Sequence, residues 1–248
     1  MERITSRRNP VCVHIKKLGD SKGYRESCGE FLCDGLKLLE DALRSGAEIT
    51  TVFTTAPVQF PLPVETRVYY ADRSLIDSIS PLKTAQGSLF TCKMPEAAGC
   101  EPVTGTHILL DGIQDPGNVG AIIRTANAFG IDSVILTEGC ADPYNPKSIR
   151  ASMGAIFRQC IAHLDLNGLR GLKDQGVRIV GATAEGSTKD ISEVMLKGSV
   201  IAIGNEGRGL SKEILSLCSE RIWIPISTEC ESLNAASAAA IIIWKASG

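Results

Sequence analysis

Five side chains in three polar turns could do chemistry in this chain of 248 residues: Asn118, Arg124, Glu206, Ser232 and Asn234. The first turn, Asp111 to Asn118, follows the apolar run His107 to Leu110 and reads Asp-Gly-Ile-Gln-Asp-Pro-Gly-Asn. Asp, Pro, Gly and Asn tolerate tight backbone geometry and cap helices. A helix then follows with Val119, Ile122, Ile123, Ala126 and Phe129 on one face, closing at Gly130. In an open α/β sheet such a turn lies outside the carboxyl end of its strand, where ligands bind. Arg124 falls roughly 9 Å along the helix axis from Asn118. A neutral amide and a permanent cation near a strand end suit an anionic, hydroxyl-bearing substrate.

The second turn, Gly204-Asn205-Glu206-Gly207-Arg208-Gly209-Leu210, also lies between an apolar strand and a helix. Its glycines run Gly-x-x-Gly-x-Gly, whereas a dinucleotide fingerprint needs Gly-x-Gly-x-x-Gly and an acidic partner about twenty residues on. This argues against an oxidoreductase, and the chain has no phosphate-loop pattern either. The third turn follows Ile224-Pro225-Ile226 and leads through Ser232-Leu233-Asn234 into a small-residue helix, with Ser232 or Asn234 at its start. Taken singly, a strained turn accounts for the glycines, capping for Ser232 and a surface ion pair for Arg124. Three such turns in one α/β stretch are jointly distinctive.

The elements that must position these residues alternate. Apolar strands are expected at 106–110, 133–136, 158–163, 178–182, 200–204 and 221–225, and helices at 119–129, 166–175, 212–217 and 233–245. That alternation predicts an α/β fold with a mostly parallel sheet covered on both faces. Upstream, strands at 31–33, 48–54, 67–70 and 88–91, with a helix after Asp34 as its cap, predict a smaller α/β unit. A Pro-, Gly- and Ala-rich stretch separates the two, giving a first domain at 1–95, a linker at 96–105 and a second domain at 106–248.

A formal net charge of −2 excludes wholesale attraction to polyanions, so nucleic-acid contact must come from local patches. Residues 1–25 hold seven basic residues against two acidic ones, which reads either as a solvated terminus or as such a patch. Nine cysteines without a Cys-x-x-Cys pair, three scattered histidines and no apolar run of membrane-spanning length predict reduced thiols, no metal site, no membrane and a cytoplasmic location.

The three turns in order resemble the SpoU family of RNA ribose 2'-O-methyltransferases, within the knotted SPOUT superfamily. The family's motifs are similar to Asn118-x-Gly120-x-x-x-Arg124, to Ile203-Gly204-Asn205-Glu206-Gly207 with Gly209-Leu210, and to Ile224-Pro225-Ile226 with Ser232-Leu233-Asn234. Lys147 to Ala155 is a further family-like stretch, and Phe31-Leu32-Cys33-Asp34-Gly35 resembles the ribosomal-protein-like RNA-binding domain of the ribosomal RNA branch. This resemblance implies S-adenosylmethionine as methyl donor, held by Thr183, Gly204, Asn205, Ile224, Ile226 and Leu233. It implies catalytic roles for Asn118, Glu206, Ser232 and Asn234 around Arg124, which orients the target nucleotide and stabilises charge. The proton acceptor stays open between the substrate phosphate and an arginine of depressed pKa.

The resemblance further implies a C-terminal trefoil knot and a homodimer through it. The implied substrate is 23S-type ribosomal RNA, with transfer RNA or a non-catalytic assembly role as alternatives. The basic N-terminal residues Arg7, Arg8, Lys16, Lys17 and Arg25, with Arg150 and Arg158, become candidates for RNA contact. Aromatic content of 5% leaves few stacking platforms, so recognition is expected to rest on shape and phosphate.

Overall fold

The computed structural model describes residues 2–82, 84–95, 103–183, 189–227, 229 and 232–248. The chain forms two compact units, Met1–Glu96 with Asp142–Arg158, and Ala97–Ala141 with Gln159–Gly248. The segment Asp142–Arg158 belongs with the first unit, although it lies within the stretch that the sequence assigns to the second domain. The expected linker falls mostly on residues 96–102, outside the described residues.

In chain order the first unit contains β1 (Glu2–Arg3), α1 (Pro10–Asp20), α2 (Lys22–Cys28), β2 (Glu30–Asp34), α3 (Leu36–Arg44), β3 (Ile49–Thr54), β4 (Arg67–Tyr70), α4 (Arg73–Ile79) and β5 (Ser88–Lys93). Among the described residues its mixed sheet has the order β1-β4-β3-β5-β2. Helix α1, inside the basic stretch, carries a local start signal in Asn9-Pro10: the Asn9 side chain accepts from Val11 N, and Pro10 occupies the first turn. Cys12, Ile15 and Leu18 then recur on one face and join a core with Leu32, Phe53, Ile76 and Leu89. The positive charge of this stretch rides on the other face of an amphipathic helix. Asp34 does not cap α3 as expected. Its carboxylate accepts instead from Gln86 N at 2.9 Å and Ser80 Oγ at 3.1 Å, and Gly35 holds the cap position.

The second unit starts with β6 (His107–Asp111), α5 (Pro116–Ala128) and β7 (Ser133–Leu136). The chain then enters the first unit for α6 (Pro146–Ser152) and returns for β8 (Cys160–His163), α7 (Leu166–Asp174), β9 (Ile179–Ala182), β10 (Lys189–Asp190), β11 (Val200–Gly204), α8 (Lys212–Leu217), β12 (Glu220–Trp223) and α9 (Ala235–Ser247). The strand order among the described residues is β10-β12-β9-β11-β6-β7-β8, and every pairing is parallel. Leu109, Ile135, Val200 and Ala202 pack with Leu169 and Leu172 of α7 and Ile214 and Leu217 of α8. Since side chains alternate along a strand, Ile108 and Leu110 point to the opposite face, and their complete burial shows that face covered too. Helices α5 and α9 pack against each other and against the sheet. Strand β8 starts two residues later than expected, because Ala155–Phe157 form a short 3-10 turn.

Six described cysteines are free thiols, whereas Cys160 is disulfide-bonded, against the expectation of reduced thiols throughout. No helix among the described residues is long and apolar enough to cross a membrane.

Arg25 corrects a sequence expectation. It is 2% exposed, donating from Nε (2.9 Å) and Nη2 (2.6 Å) to Asp142 Oδ2 and from Nη1 to the Leu18 carbonyl, so it does not face RNA. The pair ties α2 to the segment that carries α6, inside the first unit. Removing one member of a buried pair strands the other charge. Arg25→Ala should therefore lower stability by about 3–5 kcal/mol in chemical denaturation. An Arg25→Met/Asp142→Leu double variant should recover most of that loss; if both variants unfold at the native denaturant midpoint, the pair has no structural weight.

Candidate functional site

The register of the second sheet builds the site. β6 and β11 are neighbours with Gly204 opposite Asp111, so the turns that follow these strands leave the sheet side by side. After β6, Asp115 accepts from Gly117 N at 2.6 Å and caps α5 at Pro116, which places Asn118 in the first helical turn. After β11, Asn205 and Gly209 exchange backbone hydrogen bonds at 3.0 and 2.9 Å, closing a tight loop with Glu206 exposed within it. Gly204 is required by close approach: a Cβ there would lie 2.1 Å from the Gly209 carbonyl carbon. Asn234 starts α9, accepting from Ala236 N at 2.9 Å and Ser237 N at 3.4 Å.

These three turns meet through one amide. Asn118 donates from Nδ2 to Glu206 Oε1 at 2.5 Å and accepts at Oδ1 from Asn234 Nδ2 at 3.1 Å. The donor and acceptor of Asn118 therefore have different partners, which specifies the orientation of its amide. Arg124 is exposed on α5 and makes no hydrogen bond or ion pair among the described residues, leaving its five donors available. Ser232 is exposed two residues before Asn234. The Asn205 side chain is committed within the protein: Oδ1 accepts from Gly207 N and Arg208 N, and Nδ2 donates to the Gly112 carbonyl at 2.9 Å.

Strand β9 lies between β11 and β12, so the residues after all three strands emerge at one edge. Thr183 N donates to the Ile222 carbonyl at 2.9 Å there. Ile224, Ile226 and Leu233 are half-buried. Residues 184–188, 228, 230 and 231 lie outside the described residues. No group of three His, Cys, Asp or Glu that could hold a metal ion occurs among the described residues. Burial pushes the Cys140 thiol up and the Cys218 thiol to about 11, so neither offers a thiolate at neutral pH.

One set of contacts has no counterpart in the sequence expectations. Asp111 accepts from Ser211 N at 2.7 Å (Oδ2) and from Thr137 Oγ1 at 3.2 Å (Oδ1), while Gly112 N donates to Thr137 Oγ1 at 3.2 Å. Its only sequence signal was a carboxylate closing an apolar strand.

In the first unit, Arg7, Lys16 and Lys17 are exposed and line a groove of about 370 Å³ together with Ser78 and Ile79 of α4. Lys17 also stands 5.3 Å from the Tyr24 ring centroid. Arg8 and Arg150 are exposed, and Arg158 donates to Ser45 Oγ at 3.2 Å.

Fold and site together define a protein of the α/β class whose three polar turns meet at the carboxyl edge of its parallel sheet. The model of the SpoU rRNA Methylase family matches residues 105–244, and that of the MRM3-like substrate binding domain matches residues 9–89. The chain is 31% identical over the full length of both proteins to the 23S rRNA (guanosine(2553)-2'-O)-methyltransferase RlmP of Bacillus subtilis. Two solved structures cover nearly all of it. An AdoMet-bound rRNA methyltransferase from Sinorhizobium meliloti is 28% identical with a TM-score of 0.86, covering 99% of this chain and 97% of its own. The SpoU methyltransferase AviRb from Streptomyces viridochromogenes, in complex with the cofactor AdoMet, is 25% identical with a TM-score of 0.85, each chain covered to 97%. The chain belongs to the SpoU rRNA methylase family and is, as a member, an RNA methyltransferase.

Proposed function

We propose that this protein transfers the methyl group of S-adenosylmethionine to a ribose 2'-hydroxyl of 23S-type ribosomal RNA. The observation that carries the reading is the Asn234–Asn118–Glu206 hydrogen-bond chain, which joins one polar residue from each of the three motif turns. The named activity of the Bacillus relative and the substrate-binding match at 9–89 favour ribosomal RNA over transfer RNA and over a non-catalytic assembly role.

S-adenosylmethionine supplies, when bound, a methyl group on a cationic sulfur that an aligned oxygen nucleophile can take. Ile224, Ile226 and Leu233, with the backbone of Thr183 and Gly204, hold the adenosyl group in this reading. Arg124 grips a phosphate beside the target ribose and fixes the hydroxyl, orienting it and neutralising developing charge. Asn118 and Asn234 hold Glu206 in place, leaving the second Glu206 oxygen to accept from the substrate, and Ser232 adds a hydroxyl at the same edge. Asn205 serves through the shape of its loop. We further assign RNA docking to the cationic groove of Arg7, Lys16 and Lys17, with Arg8, Arg150 and Arg158 as additional phosphate contacts.

The threading of α9 through an earlier loop, dimerisation and a cytoplasmic location complete the reading. Dimerisation is supported by Ile241 and Trp244, three residues apart on α9 and 39% and 66% exposed, beside α5.

Arg124→Ala should lower labelled methyl transfer to 23S ribosomal RNA by on the order of 100-fold, with the melting temperature unchanged because the side chain is exposed and bonds nothing among the described residues. Normal methylation by that variant sinks its assigned role. Lys16→Ala/Lys17→Ala should weaken RNA binding and flatten the log-affinity against log-salt slope by about 0.7–0.9 per lysine, with kcat retained; an unchanged slope places the docking face elsewhere. In sedimentation velocity, Trp244→Glu should shift a dimer toward monomer, and identical profiles for variant and native protein remove α9 from the interface.

A further inference from the structure

We infer that Asp111 is a positioning residue for methyl transfer, acting with Asn205 to hold the Glu206 loop against the start of α5. The inference rests on the site reading above.

The loop from Asn205 to Ser211 is anchored at both ends to two consecutive residues, Asp111 and Gly112. At its start, Asn205 Nδ2 donates to the Gly112 carbonyl at 2.9 Å; at its end, Ser211 N donates to Asp111 Oδ2 at 2.7 Å. A carboxylate accepting from a backbone N–H is a charge-assisted bond, stronger than a neutral one. Ser211 is also the N-cap of α8, its Oγ accepting from Ile214 N at 3.3 Å, so the same residue fixes where the loop ends and the helix begins. The other Asp111 oxygen accepts from Thr137 Oγ1, which in turn accepts from Gly112 N. All three elements around Asp111, the ends of β6 and β7 and the start of α8, are thus locked through one carboxylate.

Between the two anchors stands Glu206, and its hydrogen bond to Asn118 is a contact across 88 residues. The Asn205 amide and both Asp111 oxygens bond groups of the protein itself, and Asp111 with Thr137 and Ser211 also lines an open cleft of about 470 Å³. Their effect on chemistry passes through Glu206. A displacement of about 1 Å at an aligned group can cost 100-fold in rate, so losing an anchor should appear in kcat and not in RNA affinity.

The test uses the full-length protein, tritiated S-adenosylmethionine and unmodified 23S ribosomal RNA made by transcription, measuring kcat and KM for Asp111→Ala, Asp111→Asn, Asn205→Ala, Glu206→Gln and the Asp111→Ala/Glu206→Gln double variant. Asp111→Ala and Asn205→Ala should each lower kcat on the order of 10- to 100-fold with KM for RNA nearly unchanged. Asp111→Asn, which keeps an oxygen for Ser211 N, should restore most of the rate. Because Asp111 acts through Glu206, the double variant should be no slower than the slower single variant.

Multiplicative losses in the double variant overturn the inference, as does a rise in KM with kcat intact. If Asp111→Ala does not fold, Asn205→Ala with the matching Asn205→Ala/Glu206→Gln double variant decides by the same criteria. A Glu206→Gln enzyme as fast as the native one overturns the site reading itself and the inference with it, whereas a slow Glu206→Gln beside fast anchor variants overturns the inference alone.

Discussion

The hydrogen bond from Asn118 to Glu206 joins residues 88 apart, and it exists only because β6 and β11 are parallel neighbours in the register that sets Gly204 against Asp111. A slip of one residue would turn every side chain of a strand to the other face and mismatch the close packing around Ile108, Leu109 and Leu110. Apolar packing on both faces therefore enforces the register, and the register enforces the site. Gly204 shows how little freedom remains there, since even a methyl group would meet the backbone of its own loop.

The second unit spends its sequence on a two-faced apolar sheet and on a short chain of neutral and acidic hydrogen-bonding groups at its carboxyl edge. Exposed cations gather on the first unit, where α1 presents Lys16 and Lys17 outward while Cys12, Ile15 and Leu18 face the core. Because the positive charge is local, a net charge of −2 is compatible with a protein of the SpoU rRNA methylase family.

Hydrogen-bond capacity is divided equally sharply. Asn118 and Asn234 use their amides to connect turns, Asn205 uses its amide to shape one, and Asp111 holds the ends of two strands to the start of a helix. Arg124 stands apart as a polar group of the three motifs with no partner among the described residues. Exposed on α5, its guanidinium keeps its donors toward solvent while the other motif side chains bond one another.

Local features were legible in the residues themselves: the apolar runs of β6, β7, β9 and β11, the Asp115 turn ahead of α5, a start of α9 at Ser232 or Asn234, which the structure puts at Asn234, and the alternation that makes a parallel sheet. Each depends on neighbours within a turn of helix or a few residues of strand, where propensity and capping act. The Asn9-Pro10 start of α1 was equally local, but the dense charge that follows it masks the helical period. Other properties needed the folded chain. Arg25 has the composition of an RNA contact and is instead buried against Asp142, 117 residues away. Asp34 looks like a helix cap but bonds Ser80 and Gln86. The meeting of Asn118 with Glu206 and Asn234 follows from strand order. Sequence alone determined most strands of the parallel sheet and the helices α3, α5, α7, α8 and α9, because those choices are made over a few residues. Only the tertiary structure decided which turns become neighbours and which charges lose their water, because both depend on how distant strands pair.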